Sequence, residues 1–225
     1  MTIDGFQAVL FDLDDTLYDR EAAFGRWAAA FVGTRLNPRD EAERREVLGW
    51  IASLDASGYG SKYAMFEALH ARYPALREAS DTSIERFFEE LLAEIRLEPE
   101  TEVLLAALER AGLPFGVVTN GSARQWRKIE RLGLGARTEC LFVSETFGSR
   151  KPEPAIFLAA AACLGVAPAA VLFVGDHPVN DVVGARRVGM RTAWLHRGKP
   201  WPNDTQDKPD VTLDRLTDLL PRLTQ

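Results

Sequence analysis

Residues 8–18 read Ala-Val-Leu-Phe-Asp-Leu-Asp-Asp-Thr-Leu-Tyr, an apolar run that delivers three carboxylates, Asp12, Asp14 and Asp15, and then Thr16. A short β-prone apolar run bounded by polar residues reads as a buried strand. Strand side chains alternate faces, so Asp12 and Asp14 point the same way if the strand simply continues. Like charges that close repel each other. A cation between them or a shared proton relieves the repulsion. On this stretch alone, the alternative is a polar strand end running into an Asp-rich turn and a helix cap. The rest of the chain has to decide.

The chain has 225 residues, enough for one large domain or two modest ones. Hydrophobic residues make up 46% and charged residues 27%, the balance of a soluble globular protein. A net charge of −6 with no basic stripe argues against nucleic-acid binding. An acidic protein with an anionic substrate needs local compensation from a metal or from a few placed cations. Cys140 and Cys163 are the only cysteines and form no C-x-x-C pair. They read as two small buried hydrophobes in a reducing compartment, with no structural zinc. Residues 1–11 show no basic segment followed by a long apolar one, so no signal peptide is expected. No window approaches the roughly 20 apolar residues of a membrane span. The expectation is a cytoplasmic protein.

After Tyr18 the pattern becomes helical. Apolar residues recur at helical spacing from Asp19 to about Leu36, where Asn37-Pro38 ends the run. A second helix is expected over about Arg39 to Leu54, then a loop from Asp55 to Gly60. A third spans about Ser61 to Tyr73, and a fourth starts near a cap at Asp81-Thr82-Ser83. Short connections make these a small antiparallel bundle. Phe24, Trp27, Tyr63, Met65 and Phe66 read mainly as its core, and Lys62 as a solvated helix lysine.

From Pro99 strands and helices alternate. Expected strands are Phe115–Thr119, Cys140–Val143, Ala170–Val174 and Arg191–Leu195. Expected helices are Pro99–Ala111, Ser122–Leu132, Pro154–Leu164 and Val179–Val188, with a last one over Leu213–Leu223 after a loop at 197–209. Such alternation means a parallel sheet covered on both faces. The first strand belongs to this half by texture. The expected architecture is therefore a doubly wound, Rossmann-like α/β core from residues 1–17 and 98–225. A helical cap domain, residues 18–97, is inserted after the first strand.

Ligands of doubly wound sheets bind beyond the carboxyl ends of the strands. Those ends carry Asp12 and Asp14, then Thr119-Asn120-Gly121, then the loop with Lys151-Pro152, then Gly175-Asp176 and Asp181. Acids, a hydroxyl with amides, and a lysine suit a phosphate held beside a hard divalent ion.

Asp12-x-Asp14-x-Thr16, Thr119, Lys151-Pro152 and Gly175-Asp176-x4-Asp181, in this order, resemble the haloacid dehalogenase superfamily. The helical insertion resembles its subfamily with a cap between the first two motifs. The resemblance covers essentially the whole chain, and its members are mostly phosphohydrolases. It implies Asp12 as nucleophile, forming an aspartyl-phosphate. It implies Mg2+ held by Asp12, the backbone carbonyl of Asp14 and Asp176. Asp14 becomes general acid, then base. Thr119 and the Asn120 or Gly121 amides hold the transferring oxygens, and Lys151 neutralises charge. Asp181 orients Lys151 or a metal-bound water. Asp15 has no necessary role and reads as a turn residue.

The function implied is a magnesium-dependent phosphatase of small phosphorylated metabolites, with sugar phosphates, nucleotides and flavin mononucleotide all open. The partner is the small substrate alone, with no nucleic acid or membrane, and the protein is a monomer or homodimer. A phosphomutase shares every core residue and differs in keeping the phosphoryl group. A 2-haloacid dehalogenase is disfavoured because those relatives lack an acid at the position of Asp14. A non-catalytic binding protein need not keep the full set. Outside the motifs, Tyr59, between Gly58 and Gly60, is the candidate for substrate choice. His177 reads as a packing or capping residue, and Arg124 as part of a solvated helix face.

Overall fold

The computed structural model describes residues 5–76, 79–203, 205 and 207–223. It divides into two compact units, residues 1–19 with 96–225, and residues 20–95.

The first unit is a six-stranded, all-parallel sheet. Its strands are β1 (Ala8–Phe11), β2 (Phe115–Thr119), β3 (Leu141–Val143), β4 (Val171–Gly175), β5 (Arg191–Leu195) and β6 (Val211–Leu213). Every residue of β1, β2 and β4 is buried, which is why these segments read as unbroken apolar runs. The spatial order is β3-β2-β1-β4-β5-β6. The winding therefore reverses beside β1, the switch point where such sheets bind ligands. Phe11 pairs with Val117 on one side and Val174 on the other, so Asp12 leaves the sheet level with the end of β4.

This unit also holds α5 (Pro99–Arg110), α6 (Gln125–Arg131), α7 (Ser144–Phe147), α8 (Pro154–Cys163) and α9 (Gly184–Arg187), of which α8 and α9 cover one face. Ile156, Phe157, Ala160 and Ala185 pack there against Leu10, Val118 and Phe173. This seat brings the end of α8 to the start of β3, where Cys140 and Cys163 form a disulfide with Cα atoms 5.7 Å apart. The expectation of two free thiols is corrected.

Three other expectations change. The stretch read as a final helix over Leu213–Leu223 is β6 followed by a 3-10 turn, Leu216–Arg222, with Pro221 inside. The helix expected from Val179 starts as a wider π-type turn, Pro178–Val183, before α9. The segment from Ser122 becomes helical only at α6 (Gln125–Arg131). No helix among the described residues is long and apolar enough to cross a membrane.

The second unit holds α1 (Arg20–Phe31), α2 (Glu41–Asp55), α3 (Lys62–Arg72) and α4 (Ser80–Glu94). Asp40 caps α2 through the Glu43 amide, and Ser61 caps α3 through that of Ala64. Ala79 precedes α4 and offers no side-chain cap, so Asp81-Thr82-Ser83 lies inside the first turn. Phe24, Trp27, Phe31, Phe66 and Phe87 form an aromatic core, with Trp27 and Phe87 edge to face at 4.6 Å. Tyr63 does not join it and is 55% exposed.

Under this core lies a charge network. Arg20 donates two hydrogen bonds to Asp55, at 2.7 and 2.8 Å, and both side chains are buried. Lys62 Nζ sits 2.8 Å from Asp55 Oδ1, so it is an ion-pair partner, mostly covered, and not the solvated lysine expected. The Gly58 amide donates to Asp55 Oδ2 at 2.9 Å, which ties down the turn carrying Tyr59.

Candidate active site

Asp12, Asp14, Thr119, Asn120, Gly121, Lys151, Asp176 and Asp181 all belong to the α/β unit, at or just beyond the carboxyl ends of its strands. Tyr59 belongs to the helical unit and is 71% exposed.

Lys151 lies at the centre. Its Nζ donates to Asp12 Oδ1 at 2.6 Å and to Asp181 Oδ1 at 2.7 Å, all within the protein interior. Burial alone would lower its pKa, but Asp12 and Asp181 outweigh it and hold the ammonium above its ordinary range. The second oxygen of Asp181 accepts from the His177 amide at 2.9 Å. Asp181 is thus committed to holding Lys151 and the turn after β4. Gly175 makes room for it, because a Cβ there would lie 2.3 Å from Asp181 Oδ2.

The Lys151 loop is fixed by Asn120. Its Nδ2 donates to the Lys151 carbonyl and its Oδ1 accepts from the Lys151 amide, both at 2.9 Å. The Gly121 amide, expected as an alternative to that of Asn120 for holding a transferring oxygen, donates instead to Ser144 Oγ at 3.0 Å. What Gly121 supplies is backbone shape. Its φ is +152°, and a Cβ there would lie 2.7 Å from the Gln125 side chain.

Asp14 is held by three side chains that motif reading did not pick out. Gln125 Nε2 donates to Oδ2 at 2.5 Å, Lys128 Nζ to Oδ1 at 2.5 Å, and the Tyr18 hydroxyl to Oδ1. Burial pushes this carboxyl upward, but Lys128 and the donated hydrogen bonds win and hold it below the usual carboxylate range. The one sequence signal was the spacing of Gln125 and Lys128, three residues apart on one helix face. Asp15 takes a left-handed conformation, φ 59°, and its carbonyl accepts from Arg197 at 2.8 Å. His177 Nδ1 accepts from the amides of Val179 and Asn180 and so caps the turn. Arg124 is exposed.

Asp12, Asp176 and Asp181 offer oxygens within 4.8 Å of one another. Burial pushes Asp12 up to about 7, with Lys151 pulling it down and Asp181 adding to the push. Burial and the charges of Asp12 and Asp181 push Asp176 to about 8. With Asp181 taken by Lys151, Asp12 and Asp176 are left as close hard donors with more negative charge than one lysine offsets. That donor set fits an oxygen-liganded divalent cation such as Mg2+.

The parallel sheet thus carries at its switch point a buried carboxylate paired with a buried lysine, and a close acidic pair. The family model for haloacid dehalogenase-like hydrolases matches residues 6–189, and the chain belongs to that family. A glyceraldehyde 3-phosphate phosphatase of Methanopyrus kandleri is 34% identical over 229 residues, 95% of each chain. A phosphoserine phosphatase of Thermus thermophilus is 33% identical over 220 residues, 96% of this chain and 85% of that one. Among solved structures, a 2-haloacid dehalogenase from Pseudomonas syringae pv. Tomato has a TM-score of 0.61 at 30% identity, over 97% of both chains.

Proposed function

We propose that the protein is a magnesium-dependent phosphatase of small phosphorylated metabolites, working through an aspartyl-phosphate on Asp12. What supports this above all is the carboxylate of Asp14, tied through Gln125 to the Thr119 hydroxyl in the same unit as Asp12 and Lys151. Phosphoryl transfer to a carboxylate needs a proton donor for the leaving alkoxide, and Asp14 is that group.

An Asp12 oxygen attacks phosphorus, and the ester P–O bond breaks as the new P–O bond forms. Asp14 first takes up a proton from solvent, against the pull of Lys128, and passes it to the departing alkoxide. It then takes one from the water that attacks phosphorus, which frees inorganic phosphate and restores Asp12. Lys151 offsets the charge of Asp12 and of the transferring group. Thr119 and the Asn120 amide hold phosphoryl oxygens. Magnesium, held by Asp12, Asp176 and the Asp14 carbonyl, would supply further charge neutralisation. The helical unit, residues 20–95, is proposed as a cap whose Tyr59 bears on substrate choice.

The test is phosphate release with Mg2+ over a panel of esters that includes glyceraldehyde 3-phosphate and phosphoserine, the substrates in the relatives' names. Turnover that vanishes in Asp12→Asn is expected. The dehalogenase similarity favours a second reading, which Asp14 opposes. Chloride release from a 2-haloacid, with no phosphate release from any ester, would install that reading instead.

A further inference from the structure

Gln125 and Lys128 stand on one face of α6, and both reach the same carboxylate. Gln125 is 5% exposed. Its amide nitrogen lies 2.5 Å from Asp14 Oδ2 and 2.7 Å from Thr119 Oγ1. A carboxylate only accepts, so the nitrogen and not the oxygen of this amide faces Asp14. An amide nitrogen carries two hydrogens. One goes to Asp14, and the other goes to Thr119 Oγ1.

The hydroxyl of Thr119 therefore accepts from Gln125 and keeps its own proton to donate. The acceptor it has, the Asn120 carbonyl, lies at 3.5 Å, the edge of hydrogen-bond range. That leaves the proton only weakly engaged within the protein. Lys128 Nζ holds the other Asp14 oxygen at 2.5 Å, with the lysine side chain only 16% exposed. Asp14 and Thr119 come from neighbouring strands, and a single side chain of α6 spans them.

We propose that Gln125 and Lys128 are positioning residues for phosphoryl transfer. Gln125 sets the Asp14 carboxylate and the Thr119 hydroxyl at one fixed spacing, and Lys128 fixes the carboxylate from its other side. Neither touches the reacting atoms. The role rests on the reading of Asp14 as acid and base given above. A glutamate at 125 cannot do this work, because it brings a second carboxylate against Asp14.

The test uses the full chain with saturating Mg2+ and two substrates. One is the best alkyl phosphate of the panel. The other is p-nitrophenyl phosphate, whose leaving group needs no acid, so an Asp14→Asn enzyme still releases nitrophenolate in its first turnover, read as a pre-steady-state burst rate. Gln125→Ala and Lys128→Met are expected to lower kcat on the alkyl ester by about 10- to 100-fold, the range for a misplaced catalytic group, with KM changed less than about threefold. The loss in the burst rate on p-nitrophenyl phosphate is expected to be smaller. In an Asp14→Asn background the same substitutions are expected to change that burst rate by less than about threefold, since groups acting as one unit are not additive. Lys128→Arg restores part of what Lys128→Met loses. If Gln125→Ala does not fold, Gln125→Glu keeps the volume and is expected to show the same kcat loss. Losses of full size in the Asp14→Asn background, or single variants with kcat within threefold of the parent, overturn the positioning role. Unchanged kcat in Asp14→Asn alone overturns the acid–base reading itself.

Discussion

Asp12 and Asp15 share one short turn, yet their surroundings assign them different work. Asp12 is buried against Lys151, whereas Asp15 sits in a left-handed turn with its carbonyl bound by Arg197. Asparagine tolerates that turn conformation as well as aspartate does. Asp15→Asn should therefore keep kcat within about threefold. Under the proposed mechanism Asp12→Asn removes the nucleophile and should cost at least about a thousandfold, a scale set by nucleophile deletions elsewhere. Equal rates in the two variants would sink the assignment of Asp12. Gly175 makes a second residue-level case. A methyl there meets Asp181 at 2.3 Å, with the Asp181 Cγ at 2.5 Å. Gly175→Ala should push Asp181 off Lys151, cost about 1–3 kcal/mol of stability by overpacking, and lower kcat. Urea unfolding beside steady-state kinetics checks both. At this scale the carboxylates and Lys151 were legible because each follows a strand or lies in a loop that a parallel sheet delivers to one edge. Gln125, Lys128 and Tyr18 were not. Gln125 lies 111 residues from Asp14, and nothing local marks a glutamine on a short helix as its partner.

Among the elements, the turn after α2 is held by charge where the rest of the helical unit is held by aromatic packing. Asp55 accepts from Arg20, Lys62 and the Gly58 amide while almost fully buried. Removing one partner of a buried pair leaves the other uncompensated, at a cost of about 3–5 kcal/mol. Asp55→Ala should lose stability on that scale in denaturant unfolding followed by circular dichroism. The pH dependence has a definite sign. Burial raises the Asp55 pKa, but Arg20 and Lys62 outweigh it and leave it below the usual carboxylate range. A depressed carboxyl contributes its stability in full above the unfolded value, about 3.9, and loses it as pH falls through the folded one. Wild-type stability should thus decline from about pH 5 downward, and Asp55→Asn should lack that part of the slope. An unchanged acid slope in Asp55→Asn would remove Asp55 from the account. The strands with continuous apolar runs were legible, since burial on both faces leaves that pattern. β6 was not, being three residues at the sheet edge after a Pro- and Asp-rich loop. The pairing of Cys140 with Cys163 was hidden for a different reason. It follows from the seat of α8 beside β3, which spacing alone does not reveal.

For the whole chain, the sheet order decides where negative charge accumulates. The protein carries a net charge of −6, and the neighbouring strands β1 and β4 bring Asp12 and Asp176 together at the switch point. A divalent cation that binds only the folded chain stabilises it by mass action, about 2.7 kcal/mol at a hundred times its Kd. Mg2+ should therefore raise the melting temperature in the absence of any substrate. Both side-chain donors belong to the α/β unit, so the gain should be local as well as global. Amide exchange at the ends of β1 and β4 should slow more than exchange in α2, α3 and α4. Asp176→Asn should abolish most of the shift while leaving the Lys151–Asp181 pair intact, and the Asp55 network of the helical unit should be indifferent to the ion. A melting temperature that ignores Mg2+, or a shift that survives Asp176→Asn at full size, would place the cation elsewhere and return Asp12 and Asp176 to a pair that simply shares a proton.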